Sequence, residues 1–432
     1  MKQPSNLKIA ALGGCGGMGA IAVQTLIKQN FFGEIIVVDI DFDRVNQFVQ
    51  NCKDQRLKAR QLDITDKKAL YELLAPVDIV MNTVGPYYKF GVPVLQTAID
   101  AKCHYIDLND DWKPTLDMLS LDLNAKQAGI TAVIGVGASP GITNMLAVAA
   151  MDELDVVNSL VTGWGSGGKR LPYLFRANQS SSGGSYGAAI DHLLKQLTGK
   201  IFILKNNRFQ DAVPFQKKPI FFPELGVIDA YTVGHPEPVT LPRFRTEIQD
   251  SFNVMNLPVF LVETLKWAVE QINQNHLTYQ TSAELLTLIE SDMKVIFSNV
   301  KGRQFAIRMI DNAIKYPYKF FWQTIEDVVY PGKYLPELFA IAKGLKDGQS
   351  KTVSARLTSS IASAAGMENM AALTGVPLAV GLSFIADHLC EKGVLSPEMA
   401  FNTKPFFDRL APLCHPQRKN NNDLLKIDIS KQ

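Results

Sequence analysis

Near the start of the chain, Gly14-Cys15-Gly16-Gly17-Met18-Gly19 follows an apolar run at 7–12 and leads directly into an amphipathic stretch. In this G-x-G-x-x-G pattern Gly14 permits a tight turn and Gly16 lets the backbone approach a pyrophosphate. Gly19 lets the helix lie close to the strand, while free N–H groups at Gly17 and Met18 meet the anion. A second β-branched run closes on Asp39, about 20 residues beyond Gly19, where a carboxylate can bond the adenosine ribose. A dinucleotide is therefore the expected ligand, the alternative being a purely structural glycine turn. Asp39 would repel a 2'-phosphate, which favours NAD, but Arg44 stands one helical turn further on and leaves NADP open. Asp63 is a candidate for the adenine edge or, equally, a carboxylate that starts the next helix.

Around this turn, short β-branched runs alternate with longer amphipathic stretches, the signature of a parallel sheet with helical crossovers. Strands are expected at 7–12, 34–40, 58–62, 79–83, 104–107 and 132–135, and helices at 18–29, 42–51, 67–74, 92–101 and 114–128. This predicts a Rossmann-type, doubly wound α/β domain over residues 1–150. The 432 residues leave room for more. Residues 151–350 read as a mixed α+β domain, 351–415 as helices returning to the first domain, and 416–432 as a frayed tail.

Composition removes several functions. Lys plus Arg total 44 against 42 Asp plus Glu, so no basic excess is available to hold nucleic acid. The longest apolar stretch, 377–386, is about half of the roughly 20 residues that cross a bilayer, so no membrane partner is expected. Five glycines between Gly13 and Gly19 break up any signal-peptide helix. The five cysteines are scattered, without metal-ligand spacing, so a reducing, cytoplasmic setting and no metal are expected.

Three further segments carry a family resemblance. MNTVGPYYKFGVPVLQTAIDAKCHYIDL (81–108) and GVGASPGITNMLA (135–147) resemble the signatures after strands four and six of the saccharopine dehydrogenase family. TGVPLAV and KGVLSPEMAF, within 374–401, resemble its closing segment. The resemblance implies an NAD(P)-dependent oxidoreductase acting on a carbon-nitrogen bond, as in saccharopine reductases, carboxynorspermidine dehydrogenases, homospermidine synthases and lysine 6-dehydrogenases. It also implies an amino-acid or polyamine-type substrate and a homodimer. A dinucleotide-binding sensor or scaffold without turnover is the competing reading, since fold alone does not establish catalysis.

Ligands of an open α/β sheet bind beyond the carboxyl ends of its strands, where GPYY, IDLNDD and GASPG all lie. Gly85 and Pro86 would let the backbone skirt the cofactor. Tyr87 is expected to move a proton at the reacting nitrogen, with Tyr88 beside the substrate, unless the pair packs the domain junction. The family pattern has an acid where this chain has Asp107, which makes it the second catalytic candidate; Asp110 and Asp111 are read as opening the next helix. Ser139 and Asn144 follow strand six, and Ser139 stands where some saccharopine reductases have Asp. Arg176, beside a Ser-Gly loop, and His235, Glu237 and Arg243, in a Pro-bracketed turn, complete the expected substrate contacts, arginine being suited to gripping a carboxylate. The isolated His104, His192 and His388 receive a core or surface reading.

Overall fold

The near-continuous apolar runs at the start of the chain form strands because both of their faces are covered. The computed structural model describes residues 6–29, 32–165, 186–257, 259–283, 286, 303, 307, 334–363 and 369–431. Arg176 and loop residues 180–184 lie outside them.

The first sheet is built from β1 (Lys8–Leu12), β2 (Glu34–Asp39), β3 (Leu57–Gln61), β4 (Ile79–Asn82), β5 (His104–Asp107) and β6 (Thr131–Val133). The intervening helices are α1 (Gly17–Ile27), α2 (Phe42–Cys52), α3 (Lys67–Leu74), α4 (Tyr87–Asp100), α5 (Trp112–Leu119) and α6 (Asp122–Ala128). All pairings are parallel, and the six strands run in the order β3-β2-β1-β4-β5-β6. The strand order reverses between β1 and β4, so the glycine turn opens at the switch point. One helix was expected over 114–128; there are two, broken at Ser120 and Leu121, where the chain turns toward β6.

Beyond β6, α7 (Ile142–Met151) is buried on every side, as a helix with no polar face must be. It leads into the second unit: β7 (Val156–Gly165), α8 (Tyr186–Gln196), β8 (Ile201–Lys205), β9 (Arg208–Ala212), β10 (Lys217–Phe222), β11 (Gly226–Val233), α9 (Glu237–Phe244), β12 (Asp250–Asn256), α10 (Val259–Asn273), β13 (Leu338–Lys346) and β14 (Gln349–Leu357). The chain continues through β15 (Ser360–Ile361), α11 (Met370–Ala386), β16 (Gly393–Leu395), α12 (Pro397–Ala400), α13 (Thr403–Leu410), β17 (Cys414–His415), α14 (Asn421–Leu424) and β18 (Leu425–Lys431). Among the described residues the second, mixed sheet has nine strands, with β10-β11-β12-β7-β13-β14-β18 as its main path, β8 paired with β12 and β9 with β8.

Three expectations need correction. The segment from 351 does not leave the second sheet at once: its residues through Leu357 complete β14, paired with β13, and the return begins with α11. The return also supplies a seventh strand, because β16 pairs in parallel with β6. The tail is not frayed. β18 pairs antiparallel with β14 from Leu425 to Lys431, and that ladder satisfies its backbone. Separately, HPEPVTLPR forms helix α9 rather than a turn: Pro236 and Pro238 lie at its first turn, where a missing N–H costs nothing.

A single apolar core joins Ile9 and Ile106 of the first sheet, Met145 of α7, Leu378 of α11, and Leu160 and Ala340 of the second sheet. Helix α11 packs directly on α1. A Cβ at Gly375 would lie 2.5 Å from the Met18 carbonyl oxygen and 3.0 Å from Ile21 Cβ. Gly375→Val should therefore push the helices apart and cost about 1–3 kcal/mol in urea unfolding; unchanged stability would show that the glycine is not required for this approach.

Candidate functional site

The glycine turn meets the demands of a phosphate cradle. Gly13 adopts φ +70 and donates its N–H to the Val38 carbonyl at 2.8 Å, tying the turn to β2. A Cβ at Gly19 would collide with the Gly13 carbonyl and come within 2.6 Å of Thr83 Oγ1. Helix α1 begins with no side-chain cap and no acidic residue in its first turn, so its N–H groups face outward unopposed. These features fit a dinucleotide pyrophosphate. Asp39 ends β2 with its carboxylate accepting from the Cys15 thiol at 3.0 Å and the Asp41 amide at 3.2 Å. Burial, helped by Asp39, pushes the Cys15 thiol up to about 12, so it remains a donor. The exposed Arg44 guanidinium donates to the Cys15 carbonyl at 3.4 Å. Asp63 is exposed and accepts from both the amide and hydroxyl of Thr65, at 2.9 and 2.7 Å. Its carboxylate stabilises its own turn, while Asp66 caps α3.

At the ends of β4 and β5 both expected catalytic residues take part in buried hydrogen bonds. Gly85 and Pro86 lead into α4, which starts at Tyr87, earlier than expected. The buried Tyr87 hydroxyl donates to the Asn82 carbonyl at 3.0 Å and accepts the Leu108 amide at 3.2 Å. Asp107 is fully buried: Oδ1 accepts the amides of Asn109 and Gly135 at 3.0 and 2.7 Å, and Oδ2 accepts the Tyr105 hydroxyl at 2.7 Å. Tyr105 in turn accepts from Asn82 Nδ2 at 3.1 Å. Burial pushes Asp107 up to about 6 against the pull of these donors. Both side chains are consumed in joining the ends of β4, β5 and β6, which leaves no free atom of either for a substrate.

The next two residues, Asp110 and Asp111, are part-exposed beyond the carboxyl end of β5. Asn109 pins the loop through Thr115 Oγ1 at 2.8 Å, and Trp112 stacks on Phe202 of β8 at 5.1 Å between centroids. This brings Asp110 and Asp111 against α8, where His192 Nε2 lies 3.1 Å from Asp110 and 3.7 Å from Asp111. Burial works to lower the His192 pKa, but the two carboxylates outweigh it and raise it to about 9. Burial raises Asp110 as well, yet His192 holds it below its ordinary range. Asp111 is pushed up to about 6, chiefly by burial, and its Oδ2 has no hydrogen-bond partner. Nearby, the exposed Tyr88 hydroxyl accepts from Lys195 Nζ at 3.2 Å.

A second polar group lies behind this one. Glu237, completely buried, accepts at Oε1 from Ser139 Oγ at 2.5 Å, Thr143 Oγ1 at 2.7 Å and Asn253 Nδ2 at 3.1 Å. His235 Nδ1 stands 3.3 Å from Ser139 Oγ and 3.6 Å from Glu237 Oε2. Asn144 is also buried: it caps the Gly141 amide at 2.9 Å and donates to Glu398 at 2.8 Å. It therefore braces the site from within. Arg243, exposed, donates to the Val239 carbonyl at 3.3 Å on its own helix. The structure brings Ser139, His235 and Glu237 together, and joins Thr143 and Asn253 to them, with His192 at the neighbouring acid pair. His192 and Gln196 share one helical face at i and i+4, a spacing that marks a face without marking its partner.

A cavity of about 520 Å³ opens at the opposite, amino-terminal edge of the first sheet, between Leu7, Asp78, His104 and His388. That edge is remote from the strand ends where ligands of such sheets bind.

Comparison with known proteins finds relatives over both units of the chain. The family model for the saccharopine dehydrogenase NADP binding domain matches residues 9–133, and that for the saccharopine dehydrogenase C-terminal domain matches residues 137–412. A carboxynorspermidine synthase of Vibrio cholerae is 23% identical over 267 residues, covering 54% of this chain and 58% of that protein. The chain thus spans little more than half of that relative. A carboxyaminopropylagmatine dehydrogenase of Synechocystis is 19% identical over 420 residues, covering 93% of this chain and 95% of that protein. Among solved structures, apo saccharopine dehydrogenase (L-Glu forming) from Saccharomyces cerevisiae has the same fold, with a TM-score of 0.62, 17% identity, and coverage of 98% of this chain and 100% of that one.

Asp107→Ala should cost about 3 kcal/mol in urea unfolding, because three buried donors lose their acceptor, and Tyr87→Phe about 1–2 kcal/mol. A Tyr87→Phe protein of unchanged stability would return the tyrosine to the list of groups available for chemistry.

Proposed function

The chain belongs to the saccharopine dehydrogenase family, and from that premise we propose that it is an NAD(P)-dependent oxidoreductase acting on the carbon-nitrogen bond of an amino-acid-derived or polyamine-type substrate. The observation that carries this reading is the Asp110, Asp111 and His192 cluster at the carboxyl end of β5, in the crevice onto which the glycine turn also opens. The part-exposed Asp110 and Asp111 carboxylates are the acceptors offered to a substrate ammonium. His192, held protonated by the two carboxylates, keeps the cluster's net charge near one negative unit and suits it to an amine. When bound, the nicotinamide supplies or accepts the hydride.

In this reading residues 1–150, joined by the return that begins at α11, form the nucleotide unit, and the second sheet forms the substrate unit and the face of a homodimer. No helix among the described residues is long and apolar enough to cross a membrane; a cytoplasmic setting is part of the proposal. NAD is the preferred cofactor, through the Asp39 carboxylate, with Arg44 available to a 2'-phosphate.

Three measurements test the reading. Oxidation of NADH and NADPH is followed with L-lysine or 1,4-diaminobutane paired with 2-oxoglutarate or succinic semialdehyde; saturable cofactor binding without turnover across amines and carbonyl acids would favour a sensor. Asp39→Ser should weaken NAD binding by about 1.5–3 kcal/mol and relax discrimination against NADP, read by fluorescence titration; an unchanged preference contradicts the assignment. Asp111 gains its proton as pH falls through about 6, so KM for the amine should rise below that pH. The rise should vanish in Asp111→Asn.

A further inference from the structure

Ser139 orients His235 in a way that does not depend on the acid found in some relatives. Its hydroxyl proton is committed to Glu237 Oε1, 2.5 Å away. Toward His235 Nδ1, at 3.3 Å, Ser139 Oγ can therefore only accept. That places the proton of the neutral ring on Nδ1 and the lone pair on Nε2. Both polar contacts of the ring among the described residues are made through Nδ1, so Nε2 is left for a ligand.

Glu237 supplies the counter-charge. Burial works to neutralise it, but His235, Ser139 and Thr143 outweigh that effect and keep the carboxyl below its ordinary range. Oε1 is saturated by Ser139, Thr143 and Asn253, whereas Oε2 is buried without a hydrogen-bond partner and lies 3.6 Å from Nδ1. A fully buried carboxylate with one idle oxygen beside an imidazole is arranged to stabilise positive charge on that ring. The position also suits the chemistry, since His235 acts electrostatically on both Asp110 and Asp111, the carboxylates assigned to the substrate ammonium.

We propose that His235 is the catalytic acid and base of this site, with Ser139 and Glu237 as its positioning residues. The proposal rests on the functional reading above. In the oxidative direction Nε2 would take one proton from the substrate nitrogen, whose lone pair would close the carbon-nitrogen double bond as the adjacent carbon loses a hydride, for which a nicotinamide, when bound, would be the acceptor. In the reductive direction Nε2 returns the proton to nitrogen as the hydride reaches carbon. The imidazolium formed in the first case points its Nδ1–H at Ser139 and Glu237.

Two readouts on the 432-residue chain test this. With the amine and carbonyl pairs named above, His235→Asn should lower kcat about 10²- to 10⁴-fold while NADH affinity, read by fluorescence quenching, stays within twofold. Ser139→Ala, which keeps Thr143 and Asn253 on Glu237, should lower kcat by a smaller factor with KM retained; Glu237→Gln should do the same if it folds. Separately, nitrogen-15 NMR of the histidine rings, with His235 assigned by its loss in His235→Asn, should show the neutral ring protonated on Nδ1 in the wild-type protein and a mixture of tautomers in Ser139→Ala. Wild-type turnover in His235→Asn, or a His235 ring protonated on Nε2 at rest, overturns the proposal. If no pair turns over with the wild-type protein, the functional reading fails by itself, and the ring tautomer still decides whether Ser139 and Glu237 orient His235 as described.

Discussion

One buried carboxylate holds the working end of the first sheet together. Asp107 binds the amide that starts the next loop, Asn109, and the amide that ends the neighbouring strand, Gly135, while Tyr105 extends the network to Asn82 on β4. Three strand ends are thereby tied to one charged group out of reach of water. An ionisable side chain in such a place is costly unless every oxygen is satisfied, and here each is. The loops that leave these strands carry Asp110, Asp111 and Ser139, so the positions of the crevice groups follow from this constraint. Tyr87 does the same work from the other side, bridging Asn82 and Leu108.

The second constraint is apolar. Helices α7 and α11 have no polar face, and each is buried along nearly its whole length. Helix α7 packs on β7, β13 and β14 of the second sheet, and α11 on α1 and β5 of the first unit. Placed between the two units, they merge both into one core, and the polar groups collect at the junction in front of it. Two buried acids at that junction are handled in opposite ways. Glu398 is pushed above its ordinary range chiefly by burial, whereas Glu237, with three donors on one oxygen and His235 near the other, is held below it. Charge is thus retained at the side of α7 where a histidine can use it.

What could be read in the sequence was whatever depends on neighbours along the chain. The glycine turn, the alternation of six strands with helices and the strand ends that form the crevice are local patterns, and each left its mark in spacing or residue type. Ser139, His235 and Glu237 could be picked out together because each sits in a short motif at an element boundary. The roles of Tyr87 and Asp107 were not recognisable. A tyrosine and an acid at the mouth of two strands look the same whether their oxygens face a ligand or are taken up by buried amides, and only the positions of Asn82, Leu108 and Gly135 decide between these.

The rest was decided by contacts between distant segments. The pairing of β16 with β6 and of β18 with β14 brings together residues hundreds and tens of positions apart, and a three-residue strand or a polar tail has no intrinsic preference strong enough to announce itself. His192 likewise has nothing beside it in sequence to mark it. Its charge comes from Asp110 and Asp111, which reach it only because Asn109 pins their loop and Trp112 stacks on β8. The sequence by itself determined the nucleotide fold and the edge of the sheet on which chemistry could occur, because backbone geometry and periodicity are local. Which side chains were left free there was a tertiary outcome, because burial and hydrogen-bond satisfaction depend on every segment that packs around them.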